Sequence, residues 1–503
     1  MIAHLLLKGP PDMRTLAFTL ILFAALASDA FAQQEALRAS VVKIHSTKRL
    51  PNPYRPWTKQ SPQNVTGSGV VIDGNRILTN AHVVSYSREI YVQGYQSAEK
   101  IEAKLIAISP GMDLAIIEVD KAFFKDRPAL PLAEGLPKIK DAVNAYGYPT
   151  GGQELSITEG IISRIEVAGY NYGNSGLRIQ VDAALNPGNS GGPTISDGKV
   201  IGIVYSGIPS ADNIGFIIPA DEIRMFLEDV KDGTYEGKPN IHAVLQVAEN
   251  DALREMLKID PTVTGIVVSA TDSSDANSLK EWDFITHIGE HAIDNDGRVL
   301  AGDDLRLNFR YFVPKLAKDG KLPMTVLRKG ESVKLEVPVP SQRDLLIPPL
   351  MNDYPQYFII GPLVFSSATR ELVTSGGEKL ITTLTTFESP LLKRLSELRA
   401  FEGEELVAVA SPMLSHKIIK GYQNPVLAVV SDINGTKIKN LRHLMETIRD
   451  SREEFLVFTF DDKRGERLVF KRRDLLASTD DILNDNGIRE SYSRELRSAW
   501  EKD

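Results

Sequence analysis

The sequence predicts a mainly β protein, with one large unit of barrel or sandwich type followed by two smaller α+β units. Three observations carry this. From Ser40 to about Ile218, short β-type runs alternate with turns. A clear helical pattern enters only after that stretch. A plan of strands, one helix and a closing hairpin then occurs twice in the remainder. Many short strands with regular turns argue against a parallel α/β sheet.

The first unit's strands are expected at Val41–Ile44, Gly69–Ile72, Glu89–Val92, Leu114–Val119 and Val200–Val204. Asp73-Gly74-Asn75 and Asp197-Gly198 are hairpin turns. Ala220 to Val230 is an amphipathic helix that closes the unit, and Lys231 to Pro239 is a linker. The second unit has a short helix at Asp251–Leu257 and strands at Gly265–Val268 and Phe284–Ile288. A helix follows at Ala301–Phe312, then a hairpin across Lys329-Gly330. A Pro-rich stretch, Pro338 to Pro349, precedes the third unit. That unit has strands at Leu406–Val409 and Leu427–Val430, a tight turn at Asn434-Gly435, a helix from Asn440 to Arg449 capped by Asn440, and a last hairpin from Phe455 to Phe470. From about Thr479 the chain is charged and polar, with no predicted structure. The expected boundaries are 1–32, 33–236, 237–345, 346–478 and 479–503.

Residues 1–32 carry the marks of a secretory signal peptide: Met13-Arg14, an apolar run from Leu16 to Ala27, and Ala30-Phe31-Ala32. Met13 is a candidate start. Cleavage after Ala32 is favoured over a membrane anchor because the apolar run is short for a span. No later run approaches the eighteen apolar residues that a span needs, so no integral membrane segment is expected in the mature chain. The net charge of −8 gives no electrostatic reason to expect a nucleic-acid partner. The chain has no cysteine, which excludes thiol nucleophiles, disulfides and thiolate metal sites.

Serine chemistry is left. A serine nucleophile needs a base, an orienter for that base, and donors for the oxyanion. Ser190 lies in Gly188-Asn189-Ser190-Gly191-Gly192-Pro193, where glycines let the backbone approach a substrate. The oxyanion hole is expected at Gly188, Asn189 and Ser190, with the Gly188 and Ser190 N–H groups as donors. The same residues fit the Gly-x-Ser-x-Gly elbow of α/β-hydrolases. That elbow must run into a helix, which Gly191-Gly192-Pro193 starts poorly. It also needs a later histidine, and none lies between Ser190 and the linker. Only His45 and His82 lie in the mature first unit. His45 sits in an alternating strand, whereas His82 follows Ile77-Leu78-Thr79-Asn80-Ala81 at a hairpin end. In the order His, Asp, Ser the orienter lies between the two. Asp113 is the best placed, with Asp120, Asp126 and Asp141 as alternatives.

Thr66-Gly67-Ser68-Gly69-Val70, Leu78 to Val84, Asp113-Leu114-Ala115-Ile116, Asp182 to Pro193 and Asn213 to Pro219 together resemble the HtrA/Deg serine proteases. The resemblance implies a chymotrypsin-like double β-barrel protease domain followed by PDZ-like α+β domains, with His82, Asp113 and Ser190 as the triad. More weakly, Asp353 to Tyr357, Gly361 to Phe365 and Asn434 to Phe460 look like the plant-type Deg proteases with a second, diverged PDZ-like domain. Plant members carry organelle or nuclear addresses. The secretory leader here departs from them and points to a periplasm or cell envelope.

The resemblance further implies an endopeptidase for unfolded or damaged proteins, without metal or cofactor. It implies a homotrimer or larger homo-oligomer, with contacts at Pro51–Trp57. Trypsin-type enzymes place an Asp six residues before the nucleophile, where this chain has Ala184. An uncharged S1 pocket, walled by Leu185 and by the Ile203–Phe216 region, is expected to prefer small or branched apolar residues. Peptide C-termini are expected in the second unit, between the strand near Ile241–Val247 and the helix Ala301–Phe312. The third unit lacks a clear Gly-Φ-Gly-Φ loop. Gly361-Pro362-Leu363-Val364 is the nearest match. The competing function is a non-proteolytic chaperone or scaffold on an inert barrel.

Overall fold

The structure, a computed structural model, describes residues 32–207, 215–271, 278–302, 304–461, 463 and 465–501. All but the last residue of the expected leader lies outside them.

The first half-barrel is one antiparallel sheet. Its strands are β1 (Val41–Lys48), β2 (Gln63–Ile72), β3 (Arg76–Thr79), β4 (Ser87–Gln93), β5 (Lys100–Glu102), β6 (Lys104–Ser109) and β7 (Leu114–Glu118). They run in the order β5-β4-β1-β2-β3-β7-β6. These runs are apolar on both faces because the sheet separates two cores. Side chains alternate along a strand. Val42, Ile44, Val71, Ile77 and Ile117 fill the interior of the half-barrel. Val41, Val70, Leu78, Leu114 and Ile116 point the other way, into a core shared with Tyr146, Ile195, Ile203, Ile218 and Phe226 of the second barrel.

That second barrel comprises β8 (Ala142–Gly147), β9 (Ser156–Gly169), β10 (Ser175–Val181), β11 (Pro193–Ser196), β12 (Lys199–Gly207) and β13 (Gly215–Pro219). It closes in the order β10-β13-β12-β11-β8-β9. The helix Ala220–Asp229 follows as expected and buries Ala220, Ile223 and Phe226 on one face.

In the second unit, six strands form the main sheet, five in one path from Val244–Val247 to Glu331–Pro338 and the short strand His291–Ala292 paired beside it. The expected helix at Ala301–Phe312 is absent. Its residues instead make a hairpin of Arg298–Ala301 with Leu305–Asn308, one 3₁₀ turn at Phe309–Phe312, and the four-residue helix Val313–Leu316. Alternation decides this: Leu307 is buried while Arg306 is exposed. Gly302 supplies the positive φ of the turn. Leu307 is buried in the second barrel's core, with Leu305 and Tyr311 packed against it. The Tyr311 hydroxyl and the Lys315 ammonium donate to Asp221 Oδ2 at 2.8 and 2.6 Å. This segment docks the unit on the protease barrel, and the expected peptide groove has no helix to form its wall.

The third unit joins a three-stranded and a four-stranded sheet over one core. Asn440 caps the helix Leu441–Asp450 by accepting from the His443 N–H at 2.8 Å. The expected strand at Leu427–Val430 begins only at Val430, because Leu427 has a φ of +63°. The stretch after Thr479 is folded rather than structureless. Helix Arg472–Asp485 buries Leu475 and Ile482, and Leu496 and Ala499 enter the same unit's core. The Trp500 ring lies 4.8 Å from that of Phe358. The Pro51–Trp57 loop is also engaged within the chain, Tyr54 and Trp57 each packing against a core cluster of the third unit.

Burial works to raise the pKa of Asp221, but hydrogen bonds from Lys315 and Tyr311 outweigh it and hold the carboxyl below 3.8. Burial works to lower Lys315, and the bonds to Asp221 and Tyr311 hold it above 10.5 instead. A depressed acid stabilises the docked form above its unfolded pKa and loses that contribution as pH falls through its folded value. A raised base contributes below its unfolded pKa and loses it as pH rises through its folded value. The contact is therefore strongest between these limits. Asp221→Asn is expected to reduce hydrogen-exchange protection of the Leu305–Asn308 amides at neutral pH, relative to intrinsic rates. Unchanged protection would contradict the docking role.

Candidate active site

Asp113 ends the turn before β7 with a φ of +59° and is 1% exposed. A left-handed aspartate costs about 1–2 kcal/mol, and the local bonds that fix it here must offset that. Asn80 Nδ2 donates to the Asp113 carbonyl at 3.0 Å. The Asp113 carboxylate accepts twice from one residue: the His82 backbone N–H reaches Oδ1 at 2.8 Å, and His82 Nδ1 lies 2.7 Å from Oδ2. With the carboxylate ionised, Nδ1 carries the proton and Nε2 is left as an acceptor. His82 belongs to the short helix Ala81–Val84, and its side chain is 45% exposed, so the ring is open on its far side. The backbone of His82 is also held on its carbonyl side, because Lys48 Nζ donates to the His82 carbonyl at 2.7 Å.

Gly67 and Gly69 of β2 have a packing reason. A Cβ at Gly67 would meet Val83 at 2.6 Å, and one at Gly69 would meet Ile77 at 2.8 Å. The His82 helix therefore sits directly on a glycine of the neighbouring strand.

Ser190 lies on a loop that the first half-barrel grips. Ser68 N–H donates to the Ser190 carbonyl at 2.8 Å, and Ser68 Oγ donates to the Gly188 carbonyl at 2.8 Å. A Cβ at Gly191 would collide with Ser68 O and Thr79 Oγ1 and meet Asn80 N at 3.1 Å. The residue after Ser190 thus touches the backbone just ahead of His82, and the structure brings the Ser190 loop to the His82–Asp113 pair.

The loop's own bonds occupy several of its amides. Asn189 N–H donates to Asn186 O at 3.0 Å, and Gly191 N–H to Val204 O at 2.9 Å. The Asn189 N–H closes the turn, which leaves the expected donors at Gly188 and Ser190. Among the described residues, the N–H groups of Gly188 and Ser190 have no acceptor. Gly188 has a φ of +99°, and a Cβ there would meet Tyr148 O and Thr150 N at 2.5 Å.

The alternative acids lie elsewhere in roles of their own. Asp120 caps a 3₁₀ turn through the Ala122 N–H, and Asp141 accepts from the Lys138 N–H. Asp126 is exposed. His45 pairs with Gln93 on β1 at 2.9 Å.

Of the S1 candidates, Ala184 is exposed and Leu185 is half-buried against Gly215. Phe216 is buried on β13. Ile203 is fully buried in the core between the barrels, so it lines no pocket. Residues 208–214 of that expected wall lie outside the described residues. In the third unit, the Gly361 N–H donates to Thr479 Oγ1 at 2.8 Å, so this loop amide is already occupied. Lys48 and the Gly361–Thr479 bond had no signal in the sequence. Both depend on partners far along the chain.

The family described as Trypsin-like peptidase domain matches residues 67–203, and the family described as PDZ domain matches residues 348–495. The chain is 34% identical over 473 residues to Protease Do-like 2, chloroplastic, of Arabidopsis thaliana, covering 92% of this chain and 76% of that protein. It is 35% identical over 435 residues to Protease Do-like 4, mitochondrial, of the same plant, covering 84% and 79%. Among solved structures, the HtrA-type protease AlgW with tripeptide is 25% identical at a TM-score of 0.48, over 61% of this chain and 96% of that one. With the trypsin-like and PDZ domains in place and relatives matched over nearly its whole length, the chain belongs to the HtrA/Deg family of serine proteases.

Proposed function

We propose that the protein is an exported endopeptidase acting on unfolded or damaged envelope proteins, with Ser190 as nucleophile, His82 as base and Asp113 as orienter. The observation that carries the reading is the paired bond of the Asp113 carboxylate to the ring and backbone of His82, together with N–H groups at Gly188 and Ser190 that have no acceptor among the described residues.

The roles follow from that geometry. His82 Nε2 accepts the Ser190 Oγ proton as Oγ attacks the scissile carbonyl carbon. The developing oxyanion receives the Gly188 and Ser190 N–H bonds, which supply the electrostatic stabilisation. Asp113 keeps the proton on Nδ1 and stabilises the imidazolium that forms. The imidazolium then gives its proton to the leaving amine as the C–N bond breaks. Water, deprotonated by the same ring, releases the acyl group and restores Ser190 Oγ–H.

Ala184 supports a preference for small or branched apolar residues before the cleaved bond. The motifs at residues 13–32 support a secretory leader and a periplasmic site of action. A homotrimer or larger homo-oligomer is proposed on the family resemblance. The second unit serves first as a docking element, because its Leu305–Lys315 segment is committed to the protease barrel.

Degradation of casein by the mature protein tests the nucleophile. Ser190→Ala is expected to abolish it, and equal rates would overturn the assignment. Asp113→Asn is expected to cut kcat by about 10⁴, because the amide favours the wrong tautomer of His82. A loss confined to KM would contradict the orienting role.

A further inference from the structure

The His82 helix is held from behind by a part of the chain some 270 residues away. At the exit of this helix, Tyr86 has a φ of +57°. Its N–H donates to Asn352 Oδ1 at 2.6 Å, a bond spanning 266 positions. Its carbonyl accepts from the Arg49 N–H at 2.9 Å. The Arg49 carbonyl in turn accepts from the Tyr354 hydroxyl at 2.7 Å. Arg49 follows Lys48, whose ammonium holds the His82 carbonyl. Two residues of the third unit's first turn thus grip both chain segments that flank the His82 helix.

The contact is built rather than incidental. Met351 and Asn352 have φ values of +47° and +79°, so three non-glycine residues in left-handed backbone meet at one contact. Such backbone is strained for a non-glycine residue, and such clusters persist only where surrounding bonds over-determine them. The bonds are present. The Leu350 N–H donates to the Glu371 carboxylate at 3.1–3.2 Å, and the Asp353 N–H donates to Leu350 O at 2.8 Å. The Tyr354 ring stands edge-on to Tyr86 at 5.6 Å and lies under the Lys59 ammonium at 3.8 Å. Asparagine both tolerates this backbone and offers an acceptor oxygen.

We infer that Asn352 and Tyr354 are positioning residues for the proteolytic reaction, fixing the His82 helix so that Nδ1 stays on Asp113 and Nε2 faces Ser190. The third unit then acts on chemistry through a backbone clamp, without touching substrate. The inference rests on His82 being the base.

The test uses the full mature chain and a short chromogenic peptide with an apolar residue before the cleaved bond. Asn352→Gly keeps the positive φ and removes the acceptor. Its kcat is expected to fall about tenfold or more, within the roughly 10²-fold that small misplacements cost, with KM unchanged. Asn352→Asp, which keeps an acceptor oxygen, is expected to recover most of the loss. Tyr354→Phe keeps the ring and drops the bond to Arg49 O. Should Asn352→Gly fail to fold, a kcat loss without a KM change in Tyr354→Phe carries the same conclusion. Wild-type kcat in either folded variant, a loss carried in KM, or equal loss in Asn352→Asp would overturn the clamp. A His82→Ala control separates the two readings. Full activity there fails the assignment of the base, whereas an inactive control beside an unimpaired Asn352→Gly fails the clamp alone.

Discussion

The site depends on one carboxylate that holds the same residue twice. Asp113 accepts the His82 backbone N–H on one oxygen and faces the ring nitrogen with the other. The first bond sets where the helix begins, and the second sets which way the ring points. A carboxylate this buried needs compensation for the water it has lost, and these two donors supply it. Its left-handed backbone, pinned by Asn80, aims the side chain back across the turn.

The second constraint is clearance. The Ser190 loop must approach the half-barrel closely enough for Ser68 to bond both Gly188 and Ser190. Glycine at 191 is what permits that approach, since any Cβ there would strike Ser68 and Thr79. The same logic places Gly67 under Val83. The glycines of the two motifs thus define one joint between the barrels, with His82 on one side and Ser190 on the other. Among the described residues, the Gly188 and Ser190 amides of this loop have no acceptor.

Much of this was legible because the residues that make the joint are local in sequence. Short motifs around Gly67, His82, Asp113 and Ser190 each carry their own geometry, and strands such as Leu114–Glu118 show as apolar runs, here Leu114 to Ile117. What escaped depends on distant partners. Leu305-Arg306-Leu307-Asn308 alternates for only four residues, too few to outweigh helix-like composition, and docking of Leu307 and Tyr311 on the second barrel decides its form. The charged C-terminal stretch hides Ile482 and Leu496, whose burial needs the third unit's cores around Ile359 and Phe358. Ile203 looked like a pocket wall, but its strand parity turns it into the core between the barrels. Asn352 carries no local signal at all, since its partner is Tyr86.

The two later units are thereby tied to the protease barrels at separate points, one through Asp221 and one through the Tyr86 turn. The central claim is that His82, Asp113 and the Ser190 loop form one acyl-transfer centre. The most direct measurement is the crystal structure of the mature protein after reaction with a peptidyl phosphonate. The account predicts phosphorus bonded to Ser190 Oγ, with the phosphoryl oxygen about 2.7–3.1 Å from the Gly188 and Ser190 nitrogens. A label on another side chain, or an oxygen directed away from both amides, would contradict it.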